Sequence, residues 1–272
     1  MKFEFPLPLN QSLNSFLKKK FPFLRYSAIQ KLWRKQEIKI NGKPVSVKTP
    51  IPQAGLLTVF LPAPRPNFFA LTGTEILAET ENLLVFAKKA GQAVHAGVGI
   101  QGSDLKNAAE TLLQLRLITV HRLDRATSGV IVFAKNARTA RQLEAEFRQQ
   151  KVHKKYLAVV SPPPAKNAGA INFPLQKSGF KIVGQKTGKP ACTIFRVLKK
   201  SAGRALLEVT PQTGRTHQIR VHLKKIGCPV LGDQIYGGQP NSRLLLHAVE
   251  LGIAGQTWQT KIPPEFTIKS NA

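Results

Sequence analysis

Cysteine is nearly absent from this chain. Cys192 and Cys228 are the only two, far apart in sequence. They build neither a disulfide framework nor a zinc site, so a reducing cytoplasm is the expected compartment. Long apolar runs are missing too. No stretch approaches the ~20 residues that span a bilayer, so no membrane role is expected. The start, Met1-Lys2-Phe3-Glu4-Phe5-Pro6, has no long apolar segment and no small-residue cleavage site, which argues against secretion. There is no internal repeat and no low-complexity run. Acidic residues are scarce: 14 Asp and Glu face 41 Lys and Arg, a formal net charge of +27.

That charge is the strongest global signal. Such a field attracts a polyanion, and nucleic acid is the natural partner because neutralised phosphates release counterions. The basic residues are spread along the chain and are not gathered on one amphipathic helix, which disfavours anionic lipid. Apolar residues make up 42% of the chain, enough for a packed core.

Residues 1–62 read as a separate small unit. Leu9, Leu13, Phe16 and Leu17 have helical spacing over Leu9 to Phe21. Ile29, Leu32 and Trp33 repeat it over Tyr26 to Gln36, with Ser27 as the expected N-cap. Ile38 to Val45 alternates around Asn41-Gly42, a strand-turn-strand pattern, and Leu56 to Leu61 reads as a closing strand. This unit holds eleven Lys or Arg against Glu4 and Glu37, more than packing can use. Pro62-Ala63-Pro64-Arg65-Pro66-Asn67 opens a proline-rich linker assigned to residues 63–74.

Residues 75–272 fit one further domain. Predicted strands are Glu75 to Ala78, Leu83 to Lys88, Gly129 to Ala134, Tyr156 to Val160, Ala191 to Leu198, Ala205 to Thr210 and Leu244 to Leu251. Predicted helices are Leu105 to Leu115, Ala137 to Gln149 and Thr216 to Lys225. The pattern predicts an α+β fold: a mixed, largely antiparallel sheet with flanking helices, beside the small N-terminal α+β unit.

Three polar clusters stand out. His121-Arg122-Leu123-Asp124-Arg125-Ala126-Thr127-Ser128-Gly129 feeds an apolar strand. Asp124 lies between two arginines, which favour the ionised carboxylate that a nucleophile or base requires. On charge pattern alone, a surface salt-bridge loop is the better reading, because structural ion pairs are common. In Gln212 to His222, Gly214 permits a tight turn and Thr216 can cap the following helix. Arg220 in that helix can form a bidentate pair with a carboxylate such as Asp124. His217 and His222 are five apart, about 500° around a helix, so they share no face and make no zinc pair. The third cluster, Phe147 to Leu157, mixes basic residues with Tyr156. It suits RNA, with cations on phosphates and a ring on a base, and equally suits a solvated helix end before a strand.

Two resemblances draw these clusters together. The order of Leu13, Phe16-Leu17, Ile29 to Leu32 and Ile40-Asn41-Gly42-Lys43-Pro44-Val45 resembles the S4 RNA-binding domain. His121 to Gly129, Lys154-Lys155-Tyr156, Gly214 to His222 and Leu231-Gly232-Asp233…Tyr236-Gly237 resemble, in this order, the RluA family of pseudouridine synthases. Gly91…Val94-His95, Gly188-Lys189-Pro190-Ala191 and Leu246-His247-Ala248 agree as well. Ala87-Lys88-Lys89-Ala90-Gly91 and Val94-His95-Ala96 lack two prolines that the family often carries.

The resemblance implies that uridine in RNA is isomerised to pseudouridine, with Asp124 as the catalytic aspartate. It implies Tyr156 against the target base, Arg220 paired with the aspartate, and Arg122 filling the gap left by a flipped base. His121, Arg215 and His217, in the same motifs, are expected at the substrate site. The reaction moves uracil from N1 to C5 attachment without redox change, so no cofactor or metal is expected. Asp124 attacks C1′ or C6, or acts as a base at C2′. By family analogy the substrate is large-subunit ribosomal RNA, with transfer RNA as the alternative, and a monomer is expected. A non-catalytic RNA-binding protein would explain the charge. It would give no reason for Asp124, Tyr156 and Arg220 to occur together.

Overall fold

The structure, a computed structural model, describes all residues except 1, 8–11, 22–23, 25, 47–48, 50–51, 53, 62–70, 72, 74, 96–103, 180 and 269–272. The chain divides into two compact units, Met1–Leu71 with Ala96–Leu117, and Thr72–His95 with Ile118–Ala272. The stretch Ala96–Leu117 groups with the first unit, whereas sequence places it in the second. Of the linker expected at residues 63–74, all but Leu71 and Gly73 lie outside the described residues.

In the first unit a four-stranded antiparallel sheet runs in the order Lys2–Pro6, Leu56–Phe60, Ile38–Ile40, Lys43–Pro44. Asn41 and Gly42 both have positive φ, 50° and 78°, as a two-residue hairpin turn requires. The Asn41 Oδ1 also accepts the Leu56 N–H at 2.8 Å. Two helices, Leu13–Lys20 and Tyr26–Arg34, pack on the sheet. Leu17, Ile29, Ile38, Leu57 and Val59 are almost fully buried between the layers. Each such side chain contributes about 1.5–3 kcal/mol through burial. Ser12 caps the first helix, its Oγ accepting from the Ser15 N–H. Ser27, expected at the N-cap of the second, lies within its first turn, since the helix already includes Tyr26. The helix Leu105–Leu113 is capped by Asp104, whose Oδ1 accepts the Asn107 N–H at 3.0 Å.

The second unit is a large, mixed sheet, almost wholly antiparallel. Its main order is Ala168–Asn172, Cys192–Ser201, Arg204–Pro211, His153–Val160, Leu246–Ile253, Ser128–Ala134, Leu83–Lys88, Ile76–Glu79. One pairing is parallel, between His247-Ala248 and Ser128-Gly129. Gly129 makes it possible. Its φ is +124°, and a Cβ there would lie 2.1 Å from the Ala248 carbonyl oxygen.

Helix Gln218–Lys225 covers one part of this sheet through Ile219 and Leu223, which pack with Ala158, Val160, Leu207 and Val209. Helix Ala137–Arg148 covers another through Ala140 and Leu143 against Val85, Val130 and Val132. Leu157 and Val159 point to the opposite face, with Leu231, Leu245 and Phe266. Side chains alternate along a strand, so Tyr156 shares the face of Ala158 and Val160, and it packs against their cluster. Sequence periodicity missed the short or exposed strands Lys2–Pro6, Ile118–Thr119, Ala168–Asn172, Leu175–Ser178, Lys181–Gly184 and Gln256–Gln259. Among the described residues, no helix is long and apolar enough to cross a membrane.

Candidate active site

The loop between strands Ile118–Thr119 and Ser128–Ala134 carries Asp124. A tight turn forms it, closed by the Thr127 N–H donating to the Asp124 carbonyl at 3.0 Å. Both flanks are fastened. Upstream, His121 Nε2 accepts the Val132 N–H at 3.0 Å, and the ring stacks on Phe147 at 4.7 Å. Burial, helped by the nearby Lys154 charge, lowers His121 to about 3 and keeps it neutral. Downstream, Ser128 Oγ lies 2.8 Å from His247 Nδ1 and accepts from Arg243 Nη1 at 2.9 Å. From below, the Lys88 ammonium donates to the carbonyls of Lys89, Gln92 and Arg125 at 3.0, 2.7 and 3.2 Å. Burial lowers Lys88 to about 7, against an opposing pull from Asp124.

Beside this loop opens a cavity of about 590 Å³. All seven residues that sequence associates with the site line it: Asp124, Arg122, Tyr156, Arg220, His121, Arg215 and His217. Strand alternation divides the third cluster. Lys154 and Tyr156 line the cavity, while His153 and Lys155 pair with Glu250 at 3.0 and 3.5 Å. Lys154 donates to the Thr213 carbonyl, and burial lowers its pKa. Burial and then the Asp124 charge push the Tyr156 phenol well above its usual value, so it stays protonated.

The opposite wall is the turn before helix Gln218–Lys225. Thr216 does not cap this helix. His217 occupies the N-cap position with φ 52°, ψ 17°, and makes no side-chain cap bond. Gln218 holds the turn instead. Its Oε1 accepts from Thr213 Oγ1 at 2.6 Å and from the Arg215 N–H at 3.0 Å. Its Nε2 donates to Cys192 O and Thr193 Oγ1 at 2.9 and 3.0 Å. A non-glycine residue in the left-handed region costs on the order of 1 kcal/mol or more, and it persists where surroundings over-determine it. His222 points away from the cavity, between Thr193 Oγ1 and the Phe173 carbonyl, each at 2.9 Å.

Arg220 is the main correction to the sequence reading. Its bidentate partner is Asp233, not Asp124. Nε and Nη2 each donate to an Asp233 oxygen at 2.7 Å. The Asp233 side chain is fully buried and also accepts the Ile235 and Tyr236 N–H groups at 3.1 Å. Only Nη1 remains for Asp124, at 3.5 Å. The fork is therefore anchored by a buried carboxylate and extends its third nitrogen toward the cavity carboxylate. Sequence reading placed Asp233 and Tyr236 in a matched motif without giving them a role. The available signal was an acid following the buried Val230-Leu231 and Gly232, since buried acids are paired.

The arrangement gives one partly exposed carboxylate, a protonated phenol and a guanidinium lining one cavity, which suits acid–base or nucleophilic chemistry on a planar substrate. Among the described residues, no group of three or more His, Cys, Asp or Glu could hold a metal ion. A family model described as RNA pseudouridylate synthase matches residues 82–225, over half of the chain. The chain belongs to the RNA pseudouridylate synthase family. Pseudouridylate synthases are isomerases, and relatives agree across the chain's length. A protein from Vibrio parahaemolyticus, named ribosomal large subunit pseudouridine synthase C, is 31% identical over 264 residues, covering 89% of this chain and 84% of that protein. One of the same name from Rickettsia conorii is 30% identical and covers 96% of both. The solved structure of human RNA pseudouridylate synthase domain containing 4 is 29% identical with a TM-score of 0.61. It covers 71% of this chain and 90% of that one.

Proposed function

We propose that the protein converts uridine to pseudouridine in large-subunit ribosomal RNA, with Asp124 as the catalytic carboxylate. The observation that carries this reading is the placement of Asp124 in the cavity, facing an arginine whose other two donors are locked on Asp233. The names of the relatives support the choice of RNA. The reaction breaks N1–C1′ and forms C5–C1′. One proton leaves C5 and one is gained at N1, so the atoms balance within the nucleotide. Asp124 begins it by attack at C1′ or C6, or as a base at C2′. Tyr156 holds the detached base, protonated and packed against the sheet. Arg122, exposed on the loop, enters the gap left by the flipped uridine. Arg215, whose Nε is spent on the Pro190 carbonyl, offers its remaining donors to phosphate at the rim. His121 shapes the floor as a neutral ring. Residues 1–62 act as an S4-like RNA-binding unit, and the enzyme works as a cytoplasmic monomer.

Mapping pseudouridine in cells with and without the gene tests this. A ribosomal site is expected to vanish, and purified protein to restore it in vitro. If no site changes and the protein converts no uridine in ribosomal RNA, the reading fails; conversion of transfer RNA alone would redirect it. Asp124→Asn keeps the shape and removes the charge. It should lower turnover by about 10³-fold or more while RNA affinity stays within about twofold.

A further inference from the structure

Two donors, not one, approach Asp124. Arg220 Nη1 lies 3.5 Å from Oδ2, and His217 Nε2 lies 3.8 Å from the same oxygen. The other edge of the His217 ring meets Tyr236, with Nδ1 at 2.8 Å from the hydroxyl. That hydroxyl already accepts the Ile182 N–H at 3.2 Å. With that N–H accepted, the hydroxyl hydrogen is free to be donated to Nδ1 at 2.8 Å. In that arrangement Nδ1 accepts and the ring proton sits on Nε2, the edge that lies 3.8 Å from the carboxylate.

The parts that fix this geometry are shared with Arg220. Tyr236 donates its N–H to Asp233, stacks its ring edge-on to His217 at 5.5 Å, and has the Arg220 guanidinium over its face at 5.0 Å. The single turn from Asp233 to Tyr236 therefore aims both donors. The left-handed backbone of His217 fits this picture: at the N-cap its side chain caps nothing, so the strained conformation serves to present the ring.

We propose that His217 is a positioning residue for Asp124, presenting a neutral imidazole whose Nε2–H faces Oδ2 and whose tautomer Tyr236 fixes. The inference rests on the reading of Asp124 as the catalytic carboxylate. Burial lowers the His217 pKa, with Asp124 opposing and Arg220 assisting, and so favours the neutral ring. A neutral donor orients the carboxylate without locking it in a full ion pair, which leaves its lone pairs usable for attack.

Paired isosteres separate this from a merely structural role. A glutamine amide reaches the place of Nε2, and an asparagine amide that of Nδ1. His217→Gln should keep kcat within about threefold of wild type. His217→Asn should lose roughly a hundredfold in kcat with KM nearly unchanged, the size of a misplaced reacting group. Tyr236→Phe should fall in between. The reverse order, with His217→Asn active and His217→Gln impaired, would show that the Tyr236 contact alone matters, and would overturn the proposal. Equal activities would overturn it too. Where a variant does not fold, ¹⁵N-histidine NMR of the unaltered protein decides. A protonated Nε2 with bare Nδ1 at neutral pH is expected, and the other tautomer or an imidazolium refutes the proposal. Asp124→Asn runs as the control. Full activity there overturns the catalytic reading and this inference with it, whereas an inactive Asp124→Asn beside equal His217 variants overturns only the inference.

Discussion

At the residue scale, the pairing of Arg220 with Asp233 predicts an order of damage. Asp233 is fully buried and Arg220 is 5% exposed at its side chain, while Asp124 is 18% exposed. Removing one partner of a buried pair strands the other charge and typically costs about 3–5 kcal/mol. Asp233→Asn should therefore destabilise by about that amount in urea unfolding, and Asp124→Asn by less than about 1 kcal/mol. Equal losses would mean that Asp124, as the sequence suggested, is Arg220's principal partner. A second residue-scale prediction concerns Lys88. Burial lowers it from 10.5 to about 7. Between those values the unfolded chain holds a proton that the folded chain has released, so raising pH through the window stabilises the fold. The Tm of the wild type minus that of Lys88→Met should climb from pH 7 to pH 9. A flat difference would show that Lys88 is not desolvated as its burial implies.

At the element scale, the loop of Asp124 is fixed by the strand it feeds. The parallel pairing of Ser128-Gly129 with His247-Ala248 sets where the loop ends. Gly129→Ala should destabilise by about 3 kcal/mol or more, because the Cβ meets backbone at 2.1 Å and φ is +124°. Chemical denaturation checks this, and a loss below about 1 kcal/mol would mean that the two strands separate freely. Elements of this kind were unevenly legible. The buried strands Leu83–Lys88 and Ser128–Ala134 announce themselves as apolar runs. The hairpin of Leu175–Ser178 and Lys181–Gly184 does not. Its residues are mostly exposed, so no apolar face imposes a period. Ser27 and Thr216 read as caps on residue type alone, yet the first lies within a helix and the second is replaced by a strained His217. Asp124, Tyr156 and Arg220, which motif order groups together, line one cavity. It could not reveal that Arg220's fork turns to Asp233, since which of two carboxylates a guanidinium meets depends on packing over many residues.

At the scale of the whole molecule, a net charge of +27 makes RNA affinity depend on salt. The charge is not uniform in what it does. In the second unit several cations are committed internally: Lys88 to carbonyls, Arg220 to Asp233, and Lys155 to Glu250. In the first unit, Lys18 and Lys19 stand exposed on the last turn of helix Leu13–Lys20. They are available to phosphate if this unit binds RNA. Removing one cation from a phosphate lowers the slope of log K against log salt by about 0.7–0.9. Replacing both lysines by Gln should reduce the slope by up to about 2, with no change in kcat at saturating RNA, because Asp124, the proposed catalytic carboxylate, lies in the second unit. Binding isotherms at several salt concentrations measure the slope, and single-turnover assays measure the rate. An unchanged slope would remove this helix end from the RNA interface. A fallen kcat with an unchanged slope would mean that the first unit supports the catalytic fold and does not hold RNA.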